Sequence, residues 1–448
     1  MSERNNECKK DTIFTGMGSF PILWIGQLIS RFGSRMTLFS VMVWLVKKEG
    51  IASPVAIYTL FATLPVILLS PIAGAITDRY NKKYIMIISD IIAVLPTIIL
   101  LFLFASNKVE LIHIYIMAII NGTCSTFQEP AFTTSIPTLV SKDKYLKANS
   151  MQSIANSFAN IFAPLLAPFL LILIGKTGIF IIDILTFLIA VSLLLFIHMP
   201  AIISNKSRES KRKKSSILSE SVDGFRYIYK NKVLLILISS ILIINFFMTL
   251  GGILLIPMIM AKTSNNEMIL GIVEGLGSVG ALFSGFLLMG WKGPKNPWFS
   301  IFFPVTLLGF SFILMAVTKV SATWAIANFG IYFCAITASS FNRKFLHTNV
   351  PMNMQGRVFA IGGMLSRGIT PVAMLLSGIL ADKVFEPLMA ENSSFSNIFG
   401  GLVGTEYGSG MGLLFLISGI FLSLVAVSAY YYGMANNVVK NEDVVAEN

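Results

Sequence analysis

Long apolar runs separated by short polar breaks fill the chain from residue 18 to residue 435. A helix that crosses a bilayer needs about 20 predominantly apolar residues at 1.5 Å each. Runs of that kind lie at about 18–46, 53–77, 84–106, 110–136, 147–174, 177–199, 232–261, 267–290, 297–318, 321–342, 357–383 and 410–435. The pattern predicts an all-α membrane protein of twelve spanning helices. The one long polar break, 200–231, separates two sets of six spans, 18–199 and 232–435, and polar tails occupy 1–17 and 436–448. The first run exceeds the apolar core of a signal peptide and has no small-residue cleavage site after it, so it is expected to be a retained span.

Composition agrees with that pattern. Hydrophobic residues make up 55% of the chain and charged residues 12%, with a mean hydropathy of +0.76. A soluble domain carries roughly a quarter of its residues charged. The net charge of +12 would suit nucleic acid, but most of the 34 Lys and Arg fall in one alternate set of connecting segments and in the tails. That asymmetry is the positive-inside signature, and it makes anionic lipid the expected partner rather than nucleic acid. Asp78–Lys83, Ser141–Lys147, Pro200–Lys232, Trp291–Pro297 and Arg343–Arg357 become cytoplasmic segments, with both termini on the same side. Ile217, Val222, Phe225, Tyr227 and Ile228 are spaced for a surface amphipathic helix or for an extension into span seven.

The two sets of spans echo each other. Pro137 and Pro351 each precede a polar start to spans five and eleven, and Pro164 and Pro371 fall about 15 residues into those spans. Parallel six-helix repeats place a substrate site between them near the membrane midplane. Candidate chemistry of other kinds is absent from the sequence. Cys8, Cys124 and Cys334 have no metal spacing, and His113, His198 and His347 are scattered at span ends. Gly175-Lys176-Thr177 is no phosphate loop, because Leu170 stands where glycine is required. No catalytic residues, metal or cofactor are therefore expected, and the chain is not read as an enzyme.

Between spans two and three the chain reads Gly74-Ala-Ile-Thr-Asp78-Arg79-Tyr-Asn-Lys82-Lys83. This resembles the loop motif of the major facilitator superfamily, G-x-x-x-D-R-x-x-R/K-R/K. In that family the motif latches the two halves together when the protein faces outward, and the resemblance assigns the latch to Gly74, Asp78, Arg79, Lys82 and Lys83. Glycine would let two helices approach closely there. More of the chain is similar to the macrolide-efflux branch, which also contains siderophore and lysophospholipid exporters. The matching stretches include Leu23-Trp24-Ile-Gly26-Gln27, Ser30-Arg31-Phe-Gly33, Phe127-Gln128-Glu129-Pro130-Ala131-Phe132, Lys147-Ala148-Asn149-Ser150, Ile182-Asp183 and Gly356-Arg357-Val358-Phe359. One departure concerns span five. Ala163-Pro164-Leu-Leu-Ala167-Pro168 stands where proton antiporters of the superfamily carry G-P-x-x-G-G, so close glycine packing is expected to be lost there.

A charge at membrane depth costs at least about 2.5–3.5 kcal/mol, and so has a partner or lines a wet cavity. Arg31, Arg35 and Arg367 are the three basic residues deep inside apolar runs; Asp90, Glu129, Asp183 and Glu274 are the acids. Gln27, Arg31 and Arg35 are four apart and share one helix face. The resemblance places spans one and four beside a central cavity, and Arg31 and Glu129 then lie at similar depth and are expected to pair. Gln27, Arg31, Arg35, Glu129, Glu274 and Arg367 are the candidates for substrate binding or proton coupling, with Glu129 foremost for the proton. Asp90 is read as an anchor to the adjacent basic loop, and Asp183 as structural.

The family resemblance implies a monomeric secondary active exporter of the bacterial plasma membrane. It would move an amphipathic, macrolide-like small molecule by alternating access, with a proton as coupling ion. An anionic cargo such as a siderophore or lysophospholipid is the alternative. A non-transporting membrane sensor is a remote third, because the short loops leave no room for a sensing domain.

Overall fold

The structure, a computed structural model, describes residues 17–197, 225–291, 293–390 and 393–437. Both tails and most of the central basic segment, including Ile217 and Val222, lie outside the described residues; Phe225 to Lys230 are helical.

Helices account for nearly all of the described chain. They are α1 (Phe20–Glu49), α2 (Ser53–Arg79), α3 (Lys82–Ala105), α4 (Leu111–Leu139), α5 (Tyr145–Phe196), α6 (Lys232–Gly252), α7 (Leu255–Lys262) and α8 (Glu267–Gly290). After these come α9 (Pro297–Val317), α10 (Ser321–Asn349), α11 (Met352–Leu380), α12 (Ser394–Val403) and α13 (Ser409–Asn437). Asparagine side chains at 81, 231, 266 and 296 accept backbone N–H groups at the starts of α3, α6, α8 and α9. Each supplies a partner for donors that have none inside the helix. Gly50 ends α1 with a left-handed φ of 70°.

Among the described residues, nine helices are long and apolar enough to cross a membrane. Large apolar side chains such as Leu68, Phe102, Leu173, Phe286 and Phe310 are exposed on their outer faces, as contact with lipid requires. Helices α1 and α4, of 30 and 29 residues, are long enough to cross but fall outside the nine. Helix α5 is 52 residues long and breaks at Gly175, where φ is 66° and ψ is −177°. Its two limbs, 145–174 and 176–196, lie on either side of α1 at one level. Trp24 Nε1 donates to the Met151 carbonyl of the first limb, and a Cβ on Gly26 would stand 3.4 Å from Ala190 of the second. The chain therefore doubles back at Gly175.

Several predicted boundaries shift. Arg343–Arg357 is expected as a loop, yet α10 runs to Asn349 and α11 begins at Met352, so Val350 and Pro351 alone connect them. Helices that protrude beyond the bilayer keep their hydrogen bonds in water, and hydropathy does not see that extension. Span seven is interrupted at Ile253 and Leu254, and the short apolar helix α12 falls in a stretch read as a connection.

Packing separates two groups. Helices α1 to α5 pack chiefly on one another, as do α6 to α13, and the groups meet along α2 with α11 and α5 with α8. One buried cluster draws on both groups, from Met36, Leu45, Val55 and Ala167 on one side to Leu250, Leu270 and Ala381 on the other. Two further clusters stay within one group each. Phe20, Met86, Phe132 and Leu194 belong to the first, and Leu237, Trp298, Phe345 and Ala429 to the second. The groups are thus fused at the end remote from Met17 and Gly433 and parted at the end that carries them.

Candidate functional site

The fused end is held by polar contacts as well as by apolar packing. The Asp382 carboxylate, just beyond α11, accepts the backbone N–H of Ala52 at 2.9 Å and of Ser53 at 2.7 Å. These amides open α2, so the carboxylate sits where the helix dipole is positive. Lys47 Nζ of α1 pairs with Glu267 Oε1 of α8 at 2.5 Å. Ser278 Oγ of α8 donates to the Asn160 carbonyl of α5 at 2.9 Å. Along that seam a Cβ on Gly271 would stand 2.6 Å from Pro168, and one on Gly275 2.6 Å from Leu165. The close packing expected to be lost from span five is therefore made, with the glycines supplied by α8.

Below this joined region the parted groups leave a cleft, and two tiers of charge face into it. The first tier belongs to one group. Arg31 Nη2 lies 2.7 Å from Glu129 Oε2, its other terminal nitrogen donates to Asn156, and Gln152 donates to Glu129 Oε1 at 3.0 Å. The guanidinium also lies 5.5 Å from the centre of the Phe132 ring. The pairing expected from shared depth is present, and it remains wet: the Glu129 side chain is 53% exposed and Arg31 22%.

The second tier bridges the groups. Arg35, one turn beyond Arg31, interacts electrostatically with Glu274 of α8, Tyr332 of α10 and Tyr58 of α2. Arg35 and Glu274 make no ion pair within 4 Å among the described residues, although each feels the other's charge. Arg31 and Arg35 thus share a helix face and serve different partners.

Gln27 does not enter the cleft. It is 3% exposed, and its Oε1 accepts from Gln128 at 3.3 Å. Gln128 also donates to Asp90, which is 2% exposed. The sequence makes Asp90 an anchor for the basic loop beside it. The structure ties it to α4 instead, and the loop's Lys83 donates to the carbonyls of Leu195 at 2.8 Å and Ile197 at 2.7 Å. The signal that points to this grouping is the pair Gln27 and Gln128, two amides at membrane depth. Asp183 accepts from Ser34 at 3.1 Å, a packing contact as expected.

Arg367 stands apart from both tiers. It is exposed and makes no ion pair within 4 Å among the described residues. Eleven residues on, about three turns, Gly378 packs on Ser53 of α2, so Arg367 lies on the α2-facing side of α11. The loop motif is also disengaged. Asp78 and Arg79 are exposed at the end of α2, and a Cβ on Gly74 would meet nothing within 4 Å. Lys82 feels the charge of Asp78 from the start of α3. The close approach expected at Gly74 is not made in this conformation.

The sequence matches the Major Facilitator Superfamily over residues 23–374. It is 22% identical to macrolide efflux protein A of Streptococcus pyogenes over 375 residues, covering 82% of this chain and 90% of that one. It is 26% identical to the staphyloferrin A transporter of Staphylococcus aureus over 326 residues, 71% of this chain and 78% of that one. The fold is similar to a bacterial homolog of the human lysosomal transporter Spinster in an inward-facing, unoccupied conformation, with a TM-score of 0.68, 14% identity and coverage of 93% and 96%. A bacterial homologue of the iron transporter ferroportin, inward-facing, gives a TM-score of 0.66 at 15% identity, covering 92% and 98%. The chain belongs to the Major Facilitator Superfamily and is a multi-pass membrane transporter, not an enzyme.

Proposed function

We propose that this transporter exports an amphipathic organic molecule of the macrolide type across the bacterial plasma membrane, driven by proton re-entry. The nine apolar helices, the doubling of α5 at Gly175 and the long α1 and α4 support twelve spans in two six-helix halves. The basic connecting segments support cytoplasmic termini. The cleft then opens to the cytoplasm, where such a cargo would enter, and the protein acts as a monomer.

The observation that carries the reading is the placement of Arg35 and Glu274. They come from opposite halves, at the apex of the cleft, just below the joined end. A cargo bound between them touches both halves, and its binding energy can bias their rocking. Glu129, wet and ion-paired, and Glu274 are the acids that face the cleft. The macrolide relative supports the cargo class.

A second reading, an anionic cargo, is favoured by one observation. Arg31 is neutralised by Glu129, whereas Arg35 and Arg367 have no carboxylate within 4 Å among the described residues. The siderophore-transporting relative fits that reading. Expression in a pump-deficient bacterium, profiled with macrolides and siderophores side by side, tests both. Lower macrolide accumulation is the expected result. Unchanged macrolide accumulation with siderophore release would replace the first reading by the second.

A further inference from the structure

We propose that Asp90 is the carboxylate that takes up the coupling proton, an inference that rests on the proton-driven reading above. The residue is 2% exposed, on α3 where that helix packs on α4 and α5, with Gln27 of α1 beside it. Its Oδ1 accepts from Gln128. Its Oδ2 is buried and has no hydrogen-bond partner among the described residues; Gln27 acts on the carboxylate from beside it without completing a bond to that oxygen. An acceptor shut away from water without a donor is a vacant place for a proton.

The charged and titratable surroundings are few. Helix α1 brings Arg31 within electrostatic reach, and α4 brings Cys124. Glu129 follows Gln128 on α4 but is held by Arg31 and Gln152. The second limb of α5, which also packs on α3, brings Asp183, itself bound to Ser34. Protonating Glu129 means breaking an ion pair, because both its oxygens are occupied. Protonating Asp90 displaces nothing: the proton adds to Oδ2 and the carboxylate loses its charge, and release reverses that step.

The same geometry links the proton to the cleft. Gln128 precedes Glu129 in sequence, and Gln27 lies one turn before Arg31. Asp90 therefore binds Gln128 of one helix, which in turn donates to Gln27 of the other, and these are the two helices whose charged residues form the first tier. It is sealed in this conformation, so proton exchange requires the helices around it, α4 and α5 among them, to move, which is what changing sides of the membrane demands.

Infrared difference spectroscopy on the full chain in lipid nanodiscs, between acid and alkaline pH and without cargo, tests the assignment. The wild type is expected to show a titrating C=O stretch of a protonated carboxyl group that is lost in Asp90→Asn and retained in Glu129→Gln. If Asp90→Asn does not fold, Asp90→Glu carries the test, with a band displaced in frequency. A band that survives Asp90→Asn, stays unmoved in Asp90→Glu or is missing from the wild type overturns the proposal. Because no cargo is present, a titrating Asp90 band beside a pH-independent flux would refute proton-driven export and leave the proton site standing.

Discussion

The Asp382 carboxylate accepts the backbone N–H of Ser53 at 2.7 Å, across 329 positions of sequence. Together with the Ala52 contact it makes a residue of one half the cap on a helix of the other. Hydrogen bonds to a charged group are worth about 1.5–3 kcal/mol each, and about 1.4 kcal/mol is a tenfold change in an equilibrium. Asp382→Asn is expected to raise the population open at the α2–α11 end by about tenfold or more. Distances between spin labels at the start of α2 and the end of α11 measure it, and an unchanged distribution would remove the cap from the gating machinery.

The glycines of α8 make a graded prediction. A methyl group on Gly271 meets the Pro164 carbonyl, which is backbone, whereas one on Gly275 meets the end of a leucine side chain, which can turn away. Gly271→Ala is expected to hold the seam apart and slow transport markedly, and Gly275→Ala to leave it close to normal. Transport rates of the two variants at matched expression check this; equal rates would deny the seam its role.

The pair Lys47 and Glu267 is more exposed, with side-chain accessibilities of 37% and 16%, so it contributes less than the Asp382 cap, about 1 kcal/mol or below. Glu267→Lys is expected to favour modestly the state open at this end, and Lys47→Glu added to it to restore the balance. Spin-label distances across the same end decide, and a double variant no different from the single one would contradict the pairing.

Much of the fold is legible in the sequence, because helices in lipid must be long, apolar and bounded by polar caps. The predicted span 267–290 coincides with α8, whose start is set by Asn266 and whose interior has no charge but Glu274. The turn at Gly175 is legible for the same reason. What escapes the sequence is long-range. Asp90 reads as tied to the loop because the loop is near in sequence, while its partner Gln128 is 38 residues away. Asp382 reads as the end of a span, and its partners at 52 and 53 cannot be inferred from periodicity. Arg31 with Glu129 is accessible because the resemblance places both helices on one cavity at comparable depth.

Removing the carboxylate partner of Arg31 should uncouple transport from a proton gradient. Glu129→Gln is expected to abolish pH-gradient-dependent efflux while leaving expression intact, since Arg31 would keep only neutral partners, Asn156 and the substituted amide. Efflux in energised cells, compared with protein level in the membrane, checks it; unchanged efflux removes Glu129 from coupling.

The apex pair reports the sign of the cargo. Glu274→Gln should weaken a cationic cargo and spare an anionic one, and Arg35→Gln should do the opposite. Competition binding on purified protein with one cargo of each sign reads this, and equal losses for both would mean that the pair serves structure rather than recognition.

Flux through purified protein in sealed liposomes, with and without an imposed pH gradient, bears most directly on proton-driven export by alternating access. Macrolide movement accelerated by the gradient, with protons moving the opposite way, is the predicted result. Cargo movement indifferent to the gradient, or no movement of any cargo, would contradict it.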